Sequence, residues 1–306
     1  MFSKSASINN PNYASIPDHL DLSNAYAYDQ WRKAKLAPYP LKSTNLIIPI
    51  NDYQTITSDE LKSIGQLCEK FNFALYDIGL ASNNKRIPIL LARQLGLNVS
   101  DKHLCGDKVG VSTIHVSEKR APGEYIPYTN KGINWHTDGY YNQQDQKILS
   151  MILHCAQNAE KGGENAFFDY DILYILLRDE NPDYIDVLMH DDVMTIPENV
   201  QNGKLIRATQ TGPVFSQFAW GLHLRYTART KSILWKKEPL VQKAVNRIQE
   251  ILQSANEYRI DFRFSPGQGV ISNNVLHMRT SFQDSADKAQ QRLIYRMRFY
   301  ERMNHE

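Results

Sequence analysis

Cysteine is scarce in this chain of 306 residues: Cys68, Cys105 and Cys155 stand far apart, with no paired spacing. That argues against a disulfide framework and fits a reducing, cytoplasmic setting. Long apolar runs are missing too. No stretch approaches the ~18 uninterrupted apolar residues of a membrane span, and Met1-Phe2-Ser3-Lys4-Ser5 lacks an apolar signal core, so neither a membrane nor an export leader is expected. Charge of one sign is lacking as well. Lys and Arg total 35 against 33 Asp and Glu, a net charge of +2, which disfavours nucleic acid or an anionic membrane as a bulk partner. No internal repeat, long linker or low-complexity tract is present. What remains is a globular composition, 42% hydrophobic and 22% charged.

The first forty-odd residues hold Asn, Ser, Pro and Tyr without a clear period, so residues 1–45 read as an extended arm. Residues 46–306 read as a single domain. Ser58 is placed to cap a helix whose apolar face carries Leu61, Ile64, Leu67 and Cys68. Residues 73–78 are strand-like, and 87–97 return to helical spacing with Gly96 near the end. From Val109 onward short strand-like runs recur between Gly, Pro, Asn and Asp, which indicates a sandwich or barrel. One helix interrupts them over 239–254, with Val241, Ala244, Val245, Ile248 and Leu252 along one stripe. The fold class expected is mainly β with helical additions.

The chemistry concentrates in Asn134-Trp135-His136-Thr137-Asp138-Gly139 and, far down the chain, in His277 and Arg292. Side chains alternate along a strand, so His136 and Asp138 can face one ion, with His277 arriving from another strand. Two imidazoles and one carboxylate on one side of a metal leave the opposite positions open, the pattern of non-haem Fe(II) oxygenases. Arg292 offers an always-charged fork for a carboxylate. A His-x-Asp pair alone is weak evidence, and the chain has a second one at His190-Asp191-Asp192. That pair closes a short acidic helix over 183–189 and reads as surface chemistry. His136 differs because turns and strands follow it in order: residues 148–155, Gly162-Gly163-Glu164-Asn165, then Pro266-Gly267 and Asn273-Asn274 before His277.

With these residues in place, the sequence resembles the Fe(II)/2-oxoglutarate-dependent oxygenases of the taurine dioxygenase group. Trp135-His136-Thr137-Asp138, Gly162-Gly163-Glu164, the run from Pro266-Gly267-Gln268-Gly269 to Ser281-Phe282, and Arg292-Leu293-Ile294-Tyr295-Arg296 carry the resemblance over roughly residues 105–302. It implies a double-stranded β-helix (jelly roll). It further implies iron on His136, Asp138 and His277, with Arg292 on the distal carboxylate of 2-oxoglutarate. O2 would be consumed, and succinate and CO2 released. Two departures stand out. Asn165 follows Gly-Gly-Glu where the group commonly has Thr or Ser, and its amide can still donate to a carboxylate. Residues 283–291 form a polar stretch that reads as a loop insertion. Asp138 itself favours hydroxylation over halogenation, since related halogenases carry a non-ligand there.

The substrate reads as a small polar molecule with an anionic group. Arg225, on the face shared with His223 and Thr227, and Arg296, four after Arg292, are the arginines expected to face the cavity. Tyr140 and Tyr141 follow the metal pair and are placed to line the entrance, while Tyr125 and Tyr128 are candidates for a lid. Arg279 reads as a structural brace. Two other readings use the same residues: a jelly-roll hydrolase or isomerase with Zn2+, or a binding protein that keeps the fold without catalysis. Oligomeric state stays open.

Overall fold

The computed structural model describes residues 15–101, 106–116, 126–229 and 233–303. Two sheets form the β core. The larger runs, edge to edge, Ile47–Pro49, Phe73–Asp77, Gln268–Ser272, Ser150–Gln157, Leu293–Phe299 and Ser112–Ile114. Its pairs are antiparallel except the first, which is parallel. The smaller runs Ile260–Phe262, Asn165–Phe168, Leu276–Arg279 and Ile133–His136, all antiparallel. Spatial neighbours come from distant parts of the chain, as a double-stranded β-helix requires.

Strand alternation sorts the larger sheet's side chains between two environments. Phe73, Leu75, Met151, Leu153 and Val270 turn inward to a core shared with Phe167 of the smaller sheet. Phe73 and Phe167 stack with centroids 5.3 Å apart. Tyr76, Ile152, Ile271 and Met297 turn the other way, onto Ile64 and Cys68 of helix Ser58–Phe71 and Leu91 of helix Ile87–Gln94. The cap of the first of these helices is Thr57, not Ser58. Its hydroxyl accepts from the Glu60 N–H while the Glu60 carboxylate accepts from the Thr57 N–H, a reciprocal box one residue earlier than the sequence suggests. The apolar stripe near 239–254 forms helix Pro239–Gln253 as expected.

The arm departs from expectation. Within residues 15–45 the chain forms a 3-10 turn at Asp18–Leu20 and a helix at Ala25–Leu36, capped by Asn24 on the Ala27 N–H. Its apolar period is hidden because the inward face carries Tyr28, Trp31 and Lys35 in place of aliphatic residues. Lys35 is buried and pairs with Asp169 at 2.8 Å and Asp171 at 2.7 Å. The Arg178 guanidinium lies 3.8 Å from the Tyr28 ring centre. Polar composition therefore conceals a docked helix. Cys105 and Tyr125 lie outside the described residues.

Candidate metal and cosubstrate site

His136 ends strand Ile133–His136 and stands directly opposite His277 in the antiparallel pairing, so both imidazoles leave the same face of the smaller sheet. Their ring centres are 4.2 Å apart. Each Nδ1 lies against a backbone carbonyl, Asn134 O at 2.9 Å and Val275 O at 3.0 Å. A carbonyl only accepts, so Nδ1 carries the proton and Nε2 presents its lone pair. Asp138 follows in the turn. Gly139 has φ +67°, and a Cβ there would run into Ile148. One donor atom from each of His136, Asp138 and His277 falls within 4.8 Å of the others, a candidate metal group among the described residues.

Electrostatics set the protonation states a cation needs. Burial, then the neighbouring His277, pulls His136 down to about 3, and burial also lowers His277. Burial pushes Asp138 up, but Arg296 and Arg298 outweigh it and hold its carboxyl well below the usual range. Both rings are thus neutral and the carboxylate ionised near neutral pH. Asp138 Oδ2 is buried without a hydrogen-bond partner among the described residues. Oδ1 lies 4.0 Å from His136 Nε2, so two lone-pair nitrogens and an ionised carboxylate form a donor set that suits Fe(II).

On the strand beside that of His277, Asn165 joins Cys155, Gly163, Arg263 and Arg292, among others, in lining a small pocket. Arg292 is 6% exposed, yet its guanidinium forms no hydrogen bond or ion pair among the described residues, resting only over the Phe282 ring at 5.1 Å. A buried fork with open donors is built for an anion. Gly163 beside it has φ +75°, a left-handed conformation that favours glycine. Asn165 shares the pocket, with its amide 3.4 Å from Gly163 O. The polar stretch 283–291 folds back, and Asp284 Oδ1 accepts the Arg292 backbone N–H at 2.7 Å.

The remaining candidates separate. Arg225 is not available to a substrate, a correction to the sequence reading. Its guanidinium donates to the carbonyls of Tyr140 (2.7 Å), Gln210 (3.0 Å), Met194 (3.1 Å) and Gly212 (3.3 Å) and so braces the loops around the site. Arg296 reaches Asp138 Oδ1 at 3.0 Å. Tyr140 is buried and Tyr141 half-buried, with rings 5.1 Å apart, and the Tyr140 hydroxyl lies 3.5 Å from exposed Arg229. Arg279 braces Thr129 O and Lys131 O. His190 is half-exposed, 3.8 Å from Asp186 and not part of the cluster. Sequence reasoning missed Asn274, whose amide accepts the Asp138 N–H at 2.8 Å and donates to Asp138 O at 3.0 Å and Ile148 O at 2.7 Å. It also missed Arg298, which is buried between the Tyr141 hydroxyl at 2.9 Å and Asp101. The left-handed φ of Asn274, +57°, was foreshadowed by the Asn-Asn turn, whereas Asp101 carries no sequence signal.

The profile of the taurine catabolism dioxygenase TauD, TfdA family matches residues 78–298. The chain belongs to this family. The family's description is that of dioxygenases, which favours that reading over the hydrolase and binding-protein ones. Two curated relatives are similar to it. One, a uridine-5'-phosphate dioxygenase from Amycolatopsis sp, is 27% identical over 165 residues, covering 52% of this chain and 58% of the relative. The other, a uridine-5'-phosphate dioxygenase from Streptomyces sp, is 25% identical over 187 residues, covering 59% and 66%. The chain thus spans about six tenths of their lengths. Solved structures in the family's fold include an asparagine oxygenase holding Fe(II), 3-hydroxyasparagine and succinate (TM-score 0.54, 13% identity, 92% of this chain and 91% of that one). The non-heme iron oxygenase OrfP with Fe and alpha-ketoglutaric acid matches at TM-score 0.55 and 12% identity, over 79% and 81%.

Proposed function

We propose that this chain holds Fe(II) on His136, Asp138 and His277, holds 2-oxoglutarate on Arg292 with Asn165 beside it, and hydroxylates or oxidatively cleaves a small polar, anionic substrate. The bound iron and cosubstrate supply the oxidant for a C–H bond, with O2 consumed and succinate and CO2 released. The protein's part is placement. The Asn134 and Val275 carbonyls fix the two rings, the Asn274 amide clamps the peptide of Asp138, and Arg292 orients the distal carboxylate. Tyr140 and Tyr141 wall the entrance and limit water.

The observation that carries the assignment is the buried Arg292 fork with no protein acceptor among the described residues, together with the His136, Asp138 and His277 cluster. Charge supports the substrate class. Arg296 offsets Asp138, and Asp101 offsets Arg298, so neither carboxylate is left to neutralise a divalent ion. The dianionic cosubstrate would offset Arg292 and one of the ion's two charges. The site then stays net positive, and an anionic substrate would complete the balance. The relatives that act on uridine-5'-phosphate make a nucleoside monophosphate the first candidate. Asparagine and arginine follow from the shared fold. The two described cysteines, Cys68 and Cys155, are free and buried, which suits a reducing cytoplasm.

Anaerobic Fe(II) addition in the presence of 2-oxoglutarate should produce the weak visible charge-transfer band. Succinate release should then be compared over uridine-5'-phosphate, uridine, asparagine, arginine and taurine. Stimulation by a member bearing an anionic group is expected. No band would sink the metal reading, and stimulation by uridine alone would sink the anionic one.

A further inference from the structure

The loop that leads from Asp138 to strand Ser150–Gln157 is polar, with Asn142-Gln143-Gln144-Asp145-Gln146-Lys147 in its course. Its own hydrogen bonds hold it. The Asn142 amide donates to Gln146 O and the Gln146 N–H to Gln143 O, each at 3.0 Å. The Gln144 amide ties the loop to Thr211 O at 3.0 Å. Lys147 is half-buried, and its ammonium donates to Gln144 O at 2.7 Å and to Gln144 Oε1 at 2.6 Å. An ammonium has three N–H donors, so one is left over. Lys147, Thr137, Asp138, Tyr140, His223 and Arg225, among others, line one small pocket.

Both cations of this pocket lack a counter-ion among the described residues. Arg225 donates to carbonyls alone, and Lys147 to the two oxygens of Gln144. Asp138, the one carboxylate in the wall, is paired with Arg296. Asp145 and Asp191 attract Lys147 from exposed positions without forming an ion pair with it. Burial, then Arg225, lowers Lys147, as expected of a cation short of negative charge. His223 adds no charge, since burial, then Lys147, pulls it down to about 3.

We propose that this pocket receives the phosphate of a phosphomonoester substrate, with Lys147 as the residue that touches it and Arg225 as a fixed second charge. The inference rests on the anionic-substrate reading above. Two cations without counter-ions suit a dianion. The donor type decides which one. The Arg225 fork, which would pair a planar carboxylate at two points, is spent on carbonyls, whereas an ammonium meets a phosphate as a point charge. Asp138 stands in the same wall, so a molecule held here lies against the metal group.

Isothermal titration calorimetry of the full chain, loaded with Fe(II) and 2-oxoglutarate without O2, compares uridine-5'-phosphate with uridine. The wild-type protein should bind the nucleotide at least about tenfold more tightly than the nucleoside. Lys147→Met should weaken nucleotide binding at least about tenfold, with uridine and 2-oxoglutarate binding unchanged. Lys147→Arg, which keeps the charge, should recover most of the loss. Lys147→Gln serves as the second loss variant if the Met form does not fold. Unchanged nucleotide affinity in the folded loss variant, or equal binding of nucleotide and nucleoside by the wild-type protein, would overturn the proposal. Tight nucleotide binding that released no succinate would overturn its substrate part. The two readings fail separately. Succinate release driven by a different anion, without nucleotide binding, would remove this pocket assignment alone. A missing charge-transfer band would remove the metal assignment, and the Lys147 titrations would still decide the pocket.

Discussion

Arg225 and Arg292 invite comparison, since both are buried, both basic, and each lines a pocket, that of Arg225 shared with Asp138 and that of Arg292 with Asn165. They are opposites in what they touch. Arg225 follows strand Gly221–Leu224 and spends its donors on four backbone carbonyls. Arg292 precedes strand Leu293–Phe299 and spends none of its side-chain donors on the protein. Burial and charge alone do not separate a brace from a binding group. The inventory of filled donors does, because a buried guanidinium without acceptors is costly unless something absent from the chain completes it.

The largest effects should fall on the metal side of that contrast. His136→Ala, Asp138→Ala and His277→Ala should each abolish Fe(II)-dependent succinate release while circular dichroism stays native. Residual turnover above a few per cent in any of them would break the assignment. Arg292→Ala should raise the 2-oxoglutarate requirement by roughly thirty- to a thousand-fold, about 2–4 kcal/mol for a charge-assisted pair in a partly dry site. Arg292→Lys should recover only part of this. Arg225→Ala should do the reverse, leaving 2-oxoglutarate affinity nearly intact while four carbonyls lose their donor. A loss of about 2–4 kcal/mol in urea unfolding is expected. An Arg225 variant that weakened cosubstrate binding and left stability alone would erase the comparison.

A smaller effect comes from pH. His154, on the helix-covered face of the larger sheet, is lowered to about 4 by burial and hydrogen-bonds to the Tyr76 hydroxyl at 3.0 Å. The unfolded chain takes up its proton near 6.5 and the folded one only near 4. Between those values the unfolded state binds more protons, so stability is full above 6.5 and is lost as pH falls toward 4. The loss approaches about 1.4 kcal/mol per pH unit for this one group. Urea midpoints at pH 7.5, 6 and 5 should show the decline, and His154→Gln should flatten part of it. A slope identical in the variant would assign the effect to other groups. The smallest change is His190→Ala, within about 0.5 kcal/mol and without effect on turnover, because His190 is half-exposed and only loosely paired.

Much of the site was legible because its residues come in short ordered motifs. His136 and His277 stand on strands that the sequence marks, whereas Asp138, expected on the same strand as His136, follows it in the turn. The β core and helix Pro239–Gln253 were legible for the same reason, a regular apolar period. Partners were not. Sequence gives the face on which Arg225 or Arg296 stands, but the carbonyls of Gln210 and Met194, or the oxygen of Asp138, belong to segments brought near only by folding. Helix Ala25–Leu36 stayed hidden because Lys35 occupies an inward position that reads as surface until Asp169 and Asp171 are seen beside it.

Strand Leu293–Phe299 has one more consequence, which concerns length. Arg292 and Arg296 stand four residues apart across the start of the strand, where the register shifts between Leu293 and Ile294, so they span at most roughly 13 Å at about 3.3 Å per residue. One end of that span would meet the far carboxylate of the cosubstrate and the other is tied to Asp138. A β-strand does not stretch, so the interval works as a ruler. On the proposed site, a four-carbon oxo diacid reaching from the same metal group would fall short of Arg292 by about one C–C bond, roughly 1.5 Å, and should bind more weakly.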